Sequence, residues 1–115
     1  MHRTLSAFIL AAAVLGCGGS SNNTSDPVAA CKSVFSTVCN KLFQCNAAGA
    51  AQLYGNASTC ASTLSTGCTS TNASCPSGKS YNASAASSCI NDYGNESCAD
   101  VTNGVTPASC NNVCQ

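Results

Sequence analysis

Cysteine is the residue that most constrains how this chain can fold, because it occupies 11 of the 115 positions. Large apolar side chains are sparse, and aromatic residues make up only 5% of the chain. So little apolar volume cannot easily offset the entropy of ordering a chain, about 1.5 kcal/mol per residue. Disulfides lower the entropy of the unfolded chain instead, by about 3 kcal/mol for a 15-residue loop. Such cysteine density is typical of small exported proteins.

Residues 1–16 have the pattern of a secretory signal peptide. Met1-His2-Arg3 forms a positively charged start, and the run from Leu5 to Leu15 is apolar except for Ser6. The 11 residues of that run would rise about 16 Å as a helix, roughly half of a bilayer core. A membrane-spanning helix is therefore disfavoured, and the sequence predicts export.

The end of this segment, Val14-Leu15-Gly16-Cys17, resembles the bacterial lipobox. The resemblance implies a diacylglyceryl group on the sulfur of Cys17, cleavage after Gly16 and acylation of the new N-terminus. The alternative is ordinary cleavage after Ala13, which would leave Cys17 as a free thiol or a disulfide partner. The odd cysteine count favours lipidation, because removing Cys17 from the disulfide pool leaves an even ten.

The residues from Gly18 to Asp26 carry no apolar side chain and predict a flexible linker. We therefore divide the chain into a lipoprotein signal peptide (1–16), a lipidated cysteine with its polar linker (17–26), and a disulfide-stapled domain (27–115). Two or three acyl chains would anchor the protein stably to a membrane. Gly18 stands where some inner-membrane lipoproteins carry Asp, which favours the outer membrane.

The domain is predicted to be helical. Apolar and cysteine residues recur at steps of three and four between Cys31 and Cys45, with Asp26-Pro27 as a favourable start, so we expect a helix over 27–46. Shorter elements are predicted at 47–54, at 59–66 after a cap at Asn56 or Ser58, at 81–93 after Ser80, from Ser97 to Thr102, and at 107–114. The predicted fold is all-α, a small disulfide-rich bundle of about four short helices arranged as hairpins.

A pairing of the ten remaining cysteines follows from hairpin geometry. Residues that face each other in an antiparallel hairpin have a nearly constant sum of residue numbers. The hypothesis is therefore a nested set of bridges, provided that their Cα atoms approach within about 7 Å: Cys45–Cys60, Cys39–Cys68, Cys31–Cys75, Cys98–Cys110 and Cys89–Cys114.

Metal and catalytic sites are not expected. The sequence has no Cys-x-x-Cys pair, and its one histidine, His2, lies in the predicted leader. Zinc sites, thiol redox motifs and His-based nucleophilic catalysis therefore lack their usual ligands and bases. Asp92 and Glu96 lie four residues apart and could in principle act as acid and base, but we favour two solvated charges. The sequence predicts a non-enzymatic protein with no cofactor and no metal.

Charged residues make up only 7% of the chain. Without the leader, the chain has three lysines (Lys32, Lys41, Lys79) and four acidic residues (Asp26, Asp92, Glu96, Asp100). The sequence therefore predicts no basic patch for binding a nucleic acid. Asn-x-Ser/Thr triplets begin at Asn22, Asn23, Asn56, Asn72, Asn82 and Asn95. They would be glycan acceptors in a eukaryotic secreted protein, but in a bacterial lipoprotein we interpret them as a product of Asn/Ser-rich composition.

The overall pattern resembles the small cysteine-rich lipoproteins predicted in myxobacteria-type genomes, a largely uncharacterised group. The resemblance is carried by Leu15–Ser20, by Cys31 with Val38–Cys45, by the Tyr54-Gly55 corner with Cys60, and by Pro107-x-x-Cys110-x-x-x-Cys114. It implies an envelope location and an all-helical fold, and it transfers no active site. We expect a lipid-anchored structural or interaction module whose partner is the membrane together with an envelope protein or glycan. The alternative is a soluble secreted effector or inhibitor.

Overall fold

A computed structural model describes residues 23–115; the predicted signal peptide, Cys17 and the start of the linker lie outside the described residues. Within this range the chain forms five α-helices and one 3-10 helix, and its only β-type pairing is an isolated bridge between Tyr81 and Cys114. The predicted all-α fold is confirmed. The elements are α1 (Pro27–Cys45), α2 (Ala47–Tyr54), α3 (Ala57–Ser65), α4 (Ala83–Gly94), α5 (Cys98–Thr102) and the 3-10 helix (Ala108–Asn112).

Asparagine and aspartate side chains set the starts of four of these helices. The carboxylate of Asp26 accepts the backbone N–H of Ala29 at 2.8 Å, with Pro27 in the first turn. Equivalent bonds from Asn46, Asn56 and Asn82 begin α2, α3 and α4. Each cap satisfies a backbone donor that has no partner inside the helix. Two of the Asn-x-Ser/Thr triplets, those at Asn56 and Asn82, thus begin with a helix cap.

The fourth helix starts later than the sequence predicts. Asn82 accepts the N–H of Ala85 at 3.0 Å, so α4 begins at Ala83. Ser80, the expected cap, instead exchanges two backbone hydrogen bonds with Gln115, at 2.7 and 2.9 Å. This pairing holds the C-terminus against the chain that enters α4.

α1 is the central element, because α2, α3, α4 and α5 all pack against it, while the 3-10 helix packs on α4. The core is made of small side chains and sulfur. Ile90, 1% exposed, is the only large aliphatic residue among the buried ones of the described chain. The other buried apolar residues are alanines and cysteines: Ala30, Cys39, Ala50, Cys60, Cys68, Ala86 and Cys89. Disulfides therefore supply much of the packed interior as well as the cross-linking.

All ten cysteines between Cys31 and Cys114 form disulfides, with Cα–Cα distances of 4.6 to 5.9 Å. The predicted disulfide-rich character is confirmed, but every predicted pair is wrong: Cys45–Cys60, Cys39–Cys68, Cys31–Cys75, Cys98–Cys110 and Cys89–Cys114. The observed bridges are Cys31–Cys68, Cys39–Cys60, Cys45–Cys98, Cys75–Cys114 and Cys89–Cys110.

The error lies in the register of the first hairpin. α2 occupies the connection between α1 and α3, so α3 returns beside the middle of α1 and not beside its end. Cys39 therefore meets Cys60, and Cys31 meets Cys68. Cys45, beyond the contact with α3, is left to bridge Cys98 at the start of α5. We call α3 together with the turn that ends at Cys68 the α3 segment. The constant sum of residue numbers holds for its two bridges to α1, Cys31–Cys68 and Cys39–Cys60, but fails for Cys45–Cys98.

The last residues of the predicted linker are attached to the domain. The backbone N–H of Asn23 donates to the hydroxyl of Ser33 at 3.2 Å, and that hydroxyl donates to the carbonyl of Asn23 at 3.3 Å. The phenol of Tyr81 donates to the carbonyl of Thr24 at 2.8 Å. The chain thus joins the domain at Asn23, beside the N-terminal half of α1.

Candidate binding groove

Seven of the larger apolar side chains line an open groove, whereas Ile90 is the only large aliphatic residue of the described chain in the buried core. The groove has a cavity of about 210 Å³ and lies between α1, the end of α4, α5 and the turn that follows α5. Seven of its ten lining residues are apolar and larger than alanine. We call it the α1–α5 groove; it is lined by Val34, Phe35, Val38, Lys41, Leu42, Tyr93, Glu96, Val101, Gly104 and Val105.

The floor of the α1–α5 groove is one face of α1. Val34, Phe35, Val38 and Leu42 are spaced by one, three and four residues, which places them on the same side of a helix. All four are half-buried. The amphipathic pattern of α1 indicated an apolar face correctly, but this part of the face is only partly covered by the rest of the domain.

The opposite wall is built by α5 and a tight turn. Val101 lies in α5, and Gly104 turns the chain with a φ of +69°, a conformation that side chains other than glycine adopt only with strain. The N–H of Val105 then donates to the carbonyl of Asp100 at 3.0 Å, which closes the turn. Val105 remains 44% exposed at the edge of the groove.

One cation and one anion stand among the apolar lining residues. Burial raises the pKa of Glu96 above its ordinary value of 4.5, and the nearby carboxylate of Asp100 raises it further. Lys41 acts in the opposite direction and lowers the pKa of Glu96. The groove therefore presents an ammonium and a carboxylate beside an otherwise apolar surface.

Asp92 and Glu96 do not share a partner. Oδ2 of Asp92 accepts the hydroxyl of Ser109 at 2.6 Å, which ties α4 to the 3-10 helix. The charges that shift the pKa of Glu96 are Asp100 and Lys41, and Asp92 is not among them. Asp92 thus ties α4 to the 3-10 helix, whereas Glu96 lies at the groove with Asp100 and Lys41 as its charged neighbours.

A second, smaller cavity of about 190 Å³ lies beside the N-terminal half of α1. No charged residue lines it, and the phenol of Tyr81 at its edge already donates to Thr24. Burial and the nearby Asp26 raise the pKa of Tyr81 above 10.0, which keeps this donor protonated near neutral pH. The cavity offers an apolar surface without the charged pair that marks the α1–α5 groove.

The described residues offer no metal centre. Between Asn23 and Gln115 no group of three or more His, Cys, Asp or Glu side chains is placed to hold an ion. The ten cysteines predicted as site residues all lie in disulfides, and Cys17, the predicted lipidation site, lies outside the described residues. No helix in the range 23–115 combines the length and apolar character needed to cross a membrane.

Comparison with known proteins gives no relative from which a function could be transferred. No protein-family model, no curated protein and no solved structure matches the chain. A function is therefore inferred from the α1–α5 groove itself. The groove is not predicted from the sequence. The apolar face of α1 and the Asn103-Gly104 turn are both visible in the sequence. The packing of α5 against α1, which brings them together, is not.

Proposed function

We propose that the protein is a lipid-anchored, non-enzymatic binding module of the cell envelope, and that the α1–α5 groove binds an apolar side chain of a partner protein. The observation that supports this most strongly is the distribution of apolar residues. One large aliphatic side chain is fully buried, whereas seven apolar side chains line the groove. In a domain this poor in apolar residues, such a concentration at an open surface favours recognition.

The size of the groove indicates the kind of ligand. A cavity of about 210 Å³ is below the range of roughly 300–1,000 Å³ typical of drug-sized ligands. It fits one or two aliphatic side chains. Lys41 and Glu96 would lie beside the backbone of the bound partner. The ammonium of Lys41 could donate a hydrogen bond to a carbonyl of that backbone, and the carboxylate of Glu96 could accept one from an N–H.

The envelope location is supported by two features. Five disulfides within 89 residues of domain are typical of proteins in an oxidising compartment. The lipobox-like Val14–Cys17 provides the site of attachment, and Asn23, six residues after Cys17, is already held by Ser33. An extended segment of that length spans at most about 20 Å, so lipidation at Cys17 would keep the domain close to the bilayer.

Metabolic labelling tests the anchor. We expect labelled palmitate to be incorporated into the full chain in a bacterial host that processes lipoproteins, and Cys17→Ser to abolish the label. A chain without label, found in the soluble fraction with an N-terminus just after Ala13, would contradict the anchor and support the secreted alternative.

NMR titration tests the groove. The probe is N-acetyl-leucine amide, a neutral aliphatic compound, added to isotope-labelled protein. We expect shift changes concentrated on Val34, Val38, Val101 and Val105, and their loss in Val105→Asp, which places a charge at a position that is 44% exposed. Leu53→Asp is the matched control, since Leu53 is 78% exposed on α2 and does not line the groove. Changes centred on α2, or none at all, would contradict the proposal.

A further inference from the structure

We propose that the Cys45–Cys98 disulfide is a redox-sensitive latch whose reduction releases α5 and opens the α1–α5 groove. The bridge joins the C-terminal end of α1, the floor of the groove, to the first residue of α5, its opposite wall. The release of α5 is independent of the proposed function. Only its consequence for ligand binding depends on that function.

Cys45–Cys98 is the most accessible of the five bridges in the described chain. Cys98 is exposed and Cys45 is half-buried. Both cysteines of Cys39–Cys60 are 0% exposed, and each other bridge has only half-buried or buried members. Thiol–disulfide exchange requires a thiolate to reach a sulfur atom, so access is one determinant of which bridge reacts first. The sulfur of Cys98 is the expected point of attack.

α5 is attached to the rest of the domain by its packing on α1 and by the Cys45–Cys98 bridge. It is five residues long, and none of its residues is buried. A helix of one to two turns is not stable by itself in water, because its nucleation cost is not recovered. The capping bond from the N–H of Asp100 to Ser97 stays within the segment and does not attach it to α1. The packing of α5 on α1 buries none of its residues completely, so the covalent bond to Cys45 is expected to contribute strongly to holding this wall.

Loss of the latch would have a local effect. Cys89–Cys110 closes the chain on both sides of α5, with a sequence separation of 21. The two bridges between α1 and the α3 segment, Cys31–Cys68 and Cys39–Cys60, involve neither α5 nor Cys45. Reduction of the latch thus frees a closed loop that includes Val101 and Val105, while the rest of the domain keeps four cross-links.

The reductant is a small dithiol. Its first thiolate attacks Sγ of Cys98, the Sγ–Sγ bond breaks, and Cys45 leaves as a thiolate that takes up a proton. The second thiol of the reductant then displaces Cys98 and closes a cyclic disulfide. Two electrons and two protons pass to the protein, which gains two thiols, and the dithiol is oxidised. An uncharged dithiol is the suitable reagent, since Glu96 and Asp100 flank Cys98 in the sequence.

Graded reduction of the native full chain tests the latch. The protein is incubated with increasing dithiothreitol, quenched with N-ethylmaleimide and digested for peptide mass mapping. We expect Cys45 and Cys98 to be labelled at about a tenfold lower dithiothreitol concentration than any other cysteine, because exchange depends on access. Earlier labelling of another pair, such as the half-buried Cys75–Cys114, would overturn the proposal.

Hydrogen exchange provides a second measurement. In Cys45→Ser/Cys98→Ser we expect faster amide exchange in residues 98–105 and unchanged protection in α1, α3 and α4. Cys75→Ser/Cys114→Ser is the matched control and should leave 98–105 unchanged. Loss of protection throughout the latch variant, or an unchanged α5, would contradict a local latch. If both measurements support release of α5 but N-acetyl-leucine amide binds equally well before and after reduction, the release of α5 stands and its effect on the groove is contradicted. Absence of binding in both states contradicts the proposed function of the groove and leaves the release of α5 standing.

Discussion

The two parts of the domain use disulfides in different ways. In the N-terminal part, α1 and the α3 segment are joined by Cys31–Cys68 and Cys39–Cys60, and three of these four cysteines are buried. In the C-terminal part, Cys75–Cys114 and Cys89–Cys110 attach loops and a 3-10 helix, and only Cys89 is buried. The first part uses sulfur as its core, whereas the second adds its disulfides to a core that contains Ile90.

The spacing of the cysteines reflects this difference. Cys31 and Cys39 are eight residues apart, as are Cys60 and Cys68. Equal steps on two antiparallel segments bring both pairs into register at once. Cys75 and Cys89 are 14 apart, whereas Cys110 and Cys114 are four apart, so helical geometry cannot relate them. Regular cysteine steps are therefore informative only where both partner segments are regular.

Two bridges allow a direct comparison of the parts. Cys39–Cys60 and Cys89–Cys110 have the same sequence separation, 21, so their loop-closure terms are equal, about 3 kcal/mol each. Cys39→Ala/Cys60→Ala should cost about 1 kcal/mol more than Cys89→Ala/Cys110→Ala, because it also removes two fully buried sulfurs. Urea denaturation of both variants measures the difference. Equal losses would show that burial adds nothing to cross-linking in the first part.

The stability of the C-terminal part should depend on Ile90 more than on any other single apolar side chain. Ile90→Ala removes the one large aliphatic side chain of the buried set and is expected to lower the free energy of unfolding by about 3 kcal/mol. Leu53→Ala is the control, and its 78% exposure predicts little change. Thermal denaturation followed by circular dichroism provides the measurement. A small effect at Ile90 would mean that disulfides alone hold this part together.

The helix caps test whether the two parts share the same local chemistry. Asn56 begins α3 and Asn82 begins α4, each through a side-chain oxygen that accepts a backbone N–H, at 2.8 and 3.0 Å. Replacing either by alanine should cost about 1 kcal/mol, and replacement by aspartate should restore most of that stability. Denaturation of the four variants provides the test. A loss of stability in only one of the two alanine variants would show that the caps of α3 and α4 do not contribute equally.

The smallest expected effect is the titration of Glu96 beside the groove. Its pKa lies above 4.5, so the folded protein binds this proton more tightly than the unfolded chain, and the group opposes stability as pH rises through that pKa. Asp100→Asn should lower the pKa of Glu96, and Lys41→Met should raise it. Carbon-detected NMR titration of the carboxyl group measures both shifts. A higher pKa of Glu96 in Asp100→Asn, or a lower one in Lys41→Met, would contradict the assignment of Asp100 and Lys41 as its charged neighbours.

Local chemistry made the helices predictable. Asp26-Pro27 and the cysteine and apolar steps of α1 locate that helix almost to the residue, and α2 has its predicted bounds. The start of α4 was wrong by two residues, because Ser80 and Asn82 are both acceptable caps and only the pairing of Ser80 with Gln115 decides between them. Choices between equivalent local signals depend on tertiary contacts.

The disulfide pairs and the groove were not predictable in the same way. The hairpin rule assumes a direct return of the chain, and α2 shifts the register so that Cys45 is free to meet Cys98. The groove depends on that same bridge, which attaches α5, the helix that contains Val101, to the end of α1. The equal eight-residue steps identify two of the five bridges in retrospect, and no comparable pattern identifies the other three.

Disulfide mapping is the decisive measurement, because both the bundle and the α1–α5 groove depend on the connectivity. The native protein is digested without reduction, and cross-linked peptides are identified by mass spectrometry. The expected connectivity is Cys31–Cys68, Cys39–Cys60, Cys45–Cys98, Cys75–Cys114 and Cys89–Cys110. Recovery of Cys45–Cys60 with Cys39–Cys68 would contradict it, because α5 would then have no covalent attachment to α1 and the groove would lack its wall.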